Sequence, residues 1–578
     1  MSITMKNSAT FSLTLILSAT FCNISLGQDA SPTTASDVQN EHVSTSTTAA
    51  QPGCSCQAGQ ASGTQASPCE ACQAATCPKC SKSRKTCCCG HCVDWEKTPG
   101  SYRIFPRPGN FPIPPTGCGY YSLADQLQGN QRPKPQPSGY APFALMAPSF
   151  YEANFTYLES VPVQDQNLVE RMKRIPLNDC WTFSTGGQYW ARYMNEQNSR
   201  LTDSDNDYTL MRTRVYGDLL YGDNLRLFGE FIWADSLGEE LDPLPIDVNR
   251  GDILNMFIEA NLFDYEGHSV YARVGRQELL LGSQRLVSTL DWANTRRTFD
   301  GVRIFRQGDK VDFDLFYTKF VPAQASEFDT ADNRRDFAGA WLTYRPKKGH
   351  FADFYYLYAD DTNDVVQQGI TRAPNESHTF GSRYAGDDDG FLWDFEGALQ
   401  FGDQGNQDLF AGMASAGLGR KLSGAPMNAT AWVCYDYASG GQSDNGETSN
   451  TFNQLYPFGH YYLGWADQVA RQNIHDVNAH LYFYPQNWMT VWMQYHHFWL
   501  DDATDALYNA GGVARRRDAT GAAGKNVGDE IDIVMNFHLN RYSDVMVGYS
   551  HLIGDDFLKD TAGPDESGLT HVMFQTKW

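Results

Sequence analysis

The sequence predicts an all-β protein, a transmembrane antiparallel β-barrel of about eighteen strands, and three observations predict it. From Trp181 onward the chain is a succession of aromatic-rich segments, about ten residues long, in which apolar and polar side chains alternate. Tight connectors and long ones take turns between those segments, which is how outer-membrane barrels sort periplasmic turns from outer loops, and sandwiches do not. The chain finishes on Thr570 to Trp578, with Val572 and Phe574 on the face of the terminal aromatic.

Met1 to Gly27 carries Lys6, the apolar run Phe11 to Phe21, and small residues at Ser25 and Gly27, so residues 1–27 read as a secretory signal peptide. Beyond it no apolar run approaches the roughly 20 residues that a spanning helix needs, which leaves a barrel as the only way through a membrane. The formal net charge of -23 excludes nucleic acid as a partner.

Residues 28–96 form a low-complexity segment holding ten of the fourteen cysteines, Cys54 to Cys92. Exported cysteines commonly pair as disulfides. Cys69/Cys72 and Cys77/Cys80 also have zinc-knuckle spacing, and Cys89-Gly90-His91-Cys92 spells a redox dithiol without the surrounding βαβ pattern, so the three readings stand open. Residues 97–179, rich in Pro, Gly and Gln, are expected to be a linker with no packed core.

The barrel is expected over 180–578. Its segments begin near Trp181, Tyr208, Leu225, Ile253, Ser269, Phe299, Val311, Asp336, His350, Thr379, Phe391, Gln407, Asn428, Asn473, Met489, Gly528, Asp544 and Thr570. In Phe391 to Phe401 one face carries Phe391, Trp393, Phe395, Leu399 and Phe401 and the other Asp394, Glu396 and Gln400. Long loops are expected at Met194 to Asp207, Leu237 to Asp252, Asp361 to His378, Gly440 to Gln472 and Asp501 to Val527, with Gly402 to Asn406 a short exception. Eighteen strands enclose a lumen wide enough for an aqueous channel.

Charge singles out Arg273 to Arg306, with seven Arg and no Lys against Glu278, Asp291 and Asp300 in an acidic chain. Arginine presents a planar fork that fits carboxylate or phosphate. Parity with apolar neighbours turns Arg192, Arg212, Arg214, Arg273 and Arg303 into the lumen. Arg276, Arg285, Arg296 and Arg297 lie in or beside a long connection that can fold inward as a constriction. The bland alternative is neutralisation by Asp218, Glu230, Asp312 and Asp314, which share that parity. Catalysis finds no constellation. His496 and His497 are strand neighbours on opposite faces, Asp203 to Asp207 lacks the glycine and late Glu of a calcium loop, and no serine sits in a nucleophile elbow. No cofactor or metal is implied.

Two stretches, GRQELLLGSQRLVSTLDWANTRRTFDGVRI (Gly275 to Ile304) and FNQLYPFGHYYLGWAD (Phe452 to Asp467), resemble the alginate export outer-membrane family. The resemblance covers about Trp181 to Trp578. It implies an eighteen-strand barrel with an Arg-lined passage for a polyuronate, working in export. The Cys-rich segment and the linker depart from that family's simpler pattern.

The expected function is therefore an outer-membrane channel for an anionic polysaccharide or small anions. The alternatives are a general porin and a structural envelope protein anchored by the Cys-rich segment. Outer-membrane lipid, barrel-assembly machinery reading the C-terminal strand, and periplasmic export components are the expected partners. Deleting Trp578 should leave chain that crosses the inner membrane and is degraded. A normal heat-modifiable band from that mutant on a gel would contradict the C-terminal signal.

Overall fold

The computed structural model describes residues 86–88, 91–93, 116–140, 149–422, 426–441 and 447–578. Thr86–Cys88 and His91–Val93 pair antiparallel; the signal peptide and the cysteine chemistry expected of Cys54 to Cys92 lie outside the described residues.

Eighteen long strands close into one antiparallel barrel. They are β1 (Trp181–Gln197), β2 (Asn206–Tyr221), β3 (Leu225–Leu237), β4 (Asn249–Tyr265), β5 (His268–Gln277), β6 (Thr298–Gln307), β7 (Val311–Val321), β8 (Arg335–Tyr344) and β9 (His350–Gln367), followed by β10 (Ile370–Asp388), β11 (Phe391–Gln404), β12 (Gln407–Lys421), β13 (Thr430–Ala438), β14 (Ile474–Gln486), β15 (Met489–Leu500), β16 (Asn526–His538), β17 (Ser543–Gly554) and β18 (Glu566–Lys577). Each pairs with the next, and β18 returns to β1 with Val572 opposite Tyr193. Closure leaves no unpaired edge, the condition lipid imposes on any β-structure that spans it.

Lipid also explains the period of two. Phe391, Phe395, Leu399 and Phe401 of β11 face outward and exposed; Trp393, expected on the same face, is instead buried under His350 and Tyr384, while Leu392, Asp394, Glu396, Ala398 and Gln400 are buried within. The outward apolar face ends at a lateral row of carboxylates in register across five strands: Asp336 opposite Asp360, Asp360 opposite Glu376, Glu376 opposite Asp403, and Asp403 opposite Asp408. Charges so placed belong to the aqueous side of the boundary.

One expected loop is corrected. Asp361 to His378 is not a loop, because β9 and β10 run on as a hairpin joined at Gln368 and Gly369, with register shifts between Asp361 and Val366. Above the membrane there is no apolar phase to enforce alternation, so the DDTNDVV sequence hid its strand.

The expected linker is corrected in its described part as well. Residues 149–174 form a strap packed inside the turn-side end of the barrel. Tyr140, Phe150, Tyr151, Phe155, Tyr157 and Leu158 bury against Tyr216, Phe228 and Phe257 of the wall. The short helix Leu168–Arg171 is held by a capping box, Asn167 accepting from Glu170 N and Glu170 from Asn167 N. Glu170 also binds Arg541 at 2.6 Å, in the turn before β17. Lys173 Nζ donates to the carbonyl of Trp578 and to Tyr216 Oη, each at 3.0 Å, where burial pulls its ammonium down to about 7. Aromatic side chains, read from composition as linker filler, are what seat this segment.

An epitope inserted after Asp242, in the exposed connection between β3 and β4, should be stained by antibody on intact cells. The same epitope after Asp309, in the tight turn before β7, should be stained only after permeabilisation. The opposite pattern would invert the barrel.

Candidate functional site: the lumen and its plug

The wide aqueous lumen expected from strand number is corrected by two loops that fold into it. Residues 278–297, between β5 and β6, bury Leu279, Leu281, Leu286, Val287 and Trp292. Residues 447–473, before β14, bury Phe452, Phe458, Tyr461, Tyr462, Leu463, Trp465 and Val469. Loops with this many apolar side chains have no water-facing conformation that hides them, and here each hides the other's. Val287 and Tyr456 form a parallel bridge. Tyr456 N donates to Leu286 O, Ser288 N to Tyr456 O and Phe458 N to Gln284 O, each at 2.9 Å. Trp292 stacks on His460 with ring centroids 3.9 Å apart, and Asp467 Oδ2 lies 3.0 Å from both Trp292 Nε1 and His460 Nδ1.

The plug is tied to the wall around the circumference. Tyr456 packs against Phe299, Phe320 and Phe337 of β6, β7 and β8. Asn453 N donates to Gln400 Oε1 of β11 at 2.8 Å, Arg471 pairs with Asp436 of β13, and Tyr461 packs on Trp492 of β15. On β16, Asp532 accepts from Trp465 N at 3.3 Å and Glu530 from Ala466 N at 2.9 Å. Trp465 then stacks on His571 of β18. Gly464, at φ +89°, lets the backbone come this close, since a Cβ there would run into the Glu530 carboxylate.

Eight of the nine candidate arginines lie inside the barrel or its plug, and most are neutralised. Arg212 binds Asp291 at 3.0 Å, Arg214 binds Glu230 at 2.6 Å, Arg273 binds Glu259 at 2.8 Å and Arg303 binds Asp314 at 2.7 Å. Arg285 reaches across to Glu396 at 2.8 Å and Asp394 at 3.1 Å. Arg296 is shared by Glu278 and Asp291. Burial opposes charge on Asp291, yet Arg296 and Arg212 hold its carboxyl down at about 2. Arg192 and Arg297 differ: among the described residues no carboxylate lies within ion-pair distance of either. Arg192 sits 3.7 Å over the Trp292 ring and donates to Trp292 O at 2.8 Å. Arg297 donates to Pro457 O at 3.2 Å beside Tyr456, and burial pulls its guanidinium down to about 10.

Arg276 is not part of the constriction. It shares the outward face of Val274, pairs in register with Met256 and Asp300, and binds Asp300 at 2.8 Å. Of the carboxylates expected as neutralisers, Glu230 and Asp314 take candidate arginines, whereas Asp218 takes Arg226 at 2.7 Å and Asp312 takes Arg345. Among the described residues, the lumenal arginines that escaped the sequence reading include Arg226, bound to Asp218, and two more. Arg383 of β10, bound to Asp394 at 2.8 Å, alternates with outward Phe380 and Tyr384 and was legible by parity. Arg471 lies in a loop where parity has no meaning. The pair His496 and His497 does diverge, His496 inward to Asp476 and His497 outward to Asp529, each at 2.9 Å.

Both stretches that carry the family resemblance thus meet as one plug inside the barrel. The sequence profile of the alginate export family matches residues 182–570, more than half of the chain. The chain belongs to the alginate export family. This member is an outer-membrane β-barrel, and its family and fold are those of a transport channel. Solved structures similar to this alginate export chain include Pseudomonas aeruginosa OccD3 (OpdP), at 11% identity and TM-score 0.46, covering 68% of this chain and 91% of that one. Pseudomonas aeruginosa OpdQ follows at 12% identity, TM-score 0.47, 68% and 97% coverage. Acinetobacter baumannii OccAB4 has 10% identity, TM-score 0.46, and 70% and 100% coverage. A search of curated proteins finds no match.

Gly464→Ala should push the plug off β16 and raise single-channel conductance in planar bilayers while the protein stays heat-modifiable. Asp291→Ala strands Arg212 and leaves Arg296 only Glu278, and breaking buried pairs of this kind costs about 3–5 kcal/mol. Hydrogen exchange in 285–295 should accelerate, with strands β9 to β16 unaffected.

Proposed function

We propose that this channel passes an anionic polysaccharide of the polyuronate kind, or small anions, outward across the outer membrane. The observation that carries the reading is the pair Arg192, on wall strand β1 against the plug's Trp292, and Arg297 in the plug itself, neither with a carboxylate at ion-pair distance among the described residues. A cation held by carbonyls and ring faces keeps an unsatisfied preference for an anion that a carboxylate-paired Arg has lost. Arg212, Arg214, Arg273, Arg285, Arg296 and Arg303 serve transport in a second way, since each can exchange its protein carboxylate for one on the substrate as the plug moves. Arg276, on the outer rim, is left out of the passage.

The domain plan proposed with it keeps 1–27 as signal peptide, 28–96 as the Cys-rich segment, 97–179 as a region whose residues 149–174 are a strap rather than linker, and 180–578 as the barrel. Barrel-assembly machinery reading β18, and periplasmic components that deliver polymer, are the partners this reading needs. The plug itself favours a second reading, a structural envelope protein whose lumen never opens, because its apolar core fills space that a channel must clear.

Purified protein in planar bilayers tests both. The channel reading expects anion-selective openings that polyuronate blocks and neutral glycan does not. Replacing Arg192 and Arg297 together by Ala should lower anion-over-cation permeability and weaken that block, because water screens scattered charges within about 8 Å but a constriction concentrates their field. Silence under all conditions in a folded barrel would favour the structural reading.

A further inference from the structure

The strap touches the lumenal arginines in a particular way. The Phe150 ring lies over the Arg214 guanidinium at 4.3 Å, the Tyr151 ring lies over Arg273 at 4.3 Å, and the Glu152 carboxylate faces Arg273 at 3.9 Å. Beside these three residues opens a cleft of about 340 Å³ whose wall includes Arg226, Tyr271, Arg273 and Phe305. Tyr271 and Phe305 stand parallel there, with ring centroids 5.7 Å apart.

Two details distinguish this contact from ordinary packing. Arg273 is almost wholly buried and gives Nε and Nη2 to Glu259, yet its Nη1 has no hydrogen-bond acceptor among the described residues. The nearby Glu152 carboxylate accepts no hydrogen bond from any described residue and is held by charge alone. Burial pushes the Glu152 carboxyl up, with Arg273 pulling it back. A buried donor without an acceptor, next to a carboxylate that does not quite reach it, is a poor internal contact. An incoming carboxylate free to approach more closely would improve on it.

A flat ring on a guanidinium face with a carboxylate alongside is also how an acidic sugar would present itself. Its C–H face suits aromatic rings, and its carboxylate suits the fork of Arg273. We propose that Phe150 to Glu152 is a built-in occupant of a turn-side subsite for one carboxylated sugar unit, which displaces Glu152 from Arg273 and lies in the cleft against Tyr271 and Phe305. The proposal rests on the anionic-substrate reading above and adds where the first sugar binds and what it must displace. Displacement has a route to the plug. Tyr151 Oη donates to the carbonyl of Glu278 at 2.8 Å, and the Glu278 carboxylate holds Arg296, so the strap touches the root of the inward loop.

The test uses the full-length protein in detergent, titrated calorimetrically with a short oligomannuronate and with a neutral oligomannoside of equal length. Glu152→Gln keeps the shape of the strap and removes its charge. It should bind the oligomannuronate about threefold to tenfold more tightly, the factor that one improved hydrogen bond commands, and leave the neutral sugar unchanged. Arg273→Met, combined with Glu259→Gln so that no carboxylate is stranded, should abolish the gain. Unchanged oligomannuronate affinity in Glu152→Gln, or an equal gain for both sugars, overturns the subsite. If the unmodified protein still shows anion preference in bilayers, the channel reading survives that failure. If it shows neither oligomannuronate binding nor anion preference, both fall.

Discussion

Arg296 is held by Glu278 and Asp291, and Asp291 in turn holds Arg212 on the barrel wall. This chain of buried charges follows from one constraint. When the inward loops exclude water, every charge they cover must find a partner within the protein, because an isolated ion in a medium of low dielectric is far costlier than an unpaired one in water. The lumenal carboxylates of β3, β4, β7 and β11 are placed to satisfy lumenal arginines, and Arg285 crosses from loop to wall to reach two of them. Arginine richness in the sequence is therefore partly the polar skeleton of a plug. The positive field left over is much smaller than the arginine count suggests.

Under the proposed channel function, the same pairs would set the condition for opening. On the anion-channel reading, each pair would exchange one set of partners for another as an anion arrives and the carboxylate leaves, which a neutral solute could not offer. The aromatic part of the plug is different in kind. Trp292, His460, Trp465 and His571 pack on one another as rings, beside the charges of Arg192 and Asp467. Moving them exposes apolar surface that any passing polymer has to cover. Sugars with apolar ring faces could do so, which is consistent with the proposed acidic polysaccharide.

How much of this was legible follows from what forces each pattern. Lipid outside the wall forces alternation, so the strands were readable and their starts fall close to expectation, with Thr379 the exception because β10 begins at Ile370, above the apolar belt. Parity turned Arg192, Arg212, Arg214, Arg273 and Arg303 inward, where they are. It carried no information on their partners, which depend on neighbouring strands' register. For Arg276 the face itself was obscured, because grouping it with the long connection hid its kinship with Val274. The strap was unreadable for a different reason. Its aromatics have no period, since they pack on a curved wall from a chain that is neither helix nor strand for most of its length.

The two stretches with the most specific family resemblance are the two that form the plug, and that coincidence has a physical cause. The outer wall asks only for apolar side chains at alternate positions, a demand that many sequences meet equally well. A dry interface between two irregular loops asks for particular shapes and particular hydrogen-bond partners: Gly464 against Glu530, Trp292 against His460, Asp467 between two donors. Fewer sequences meet that demand. The two stretches whose resemblance pointed to the alginate export family are thus the ones whose side chains meet the most specific packing demands in the barrel.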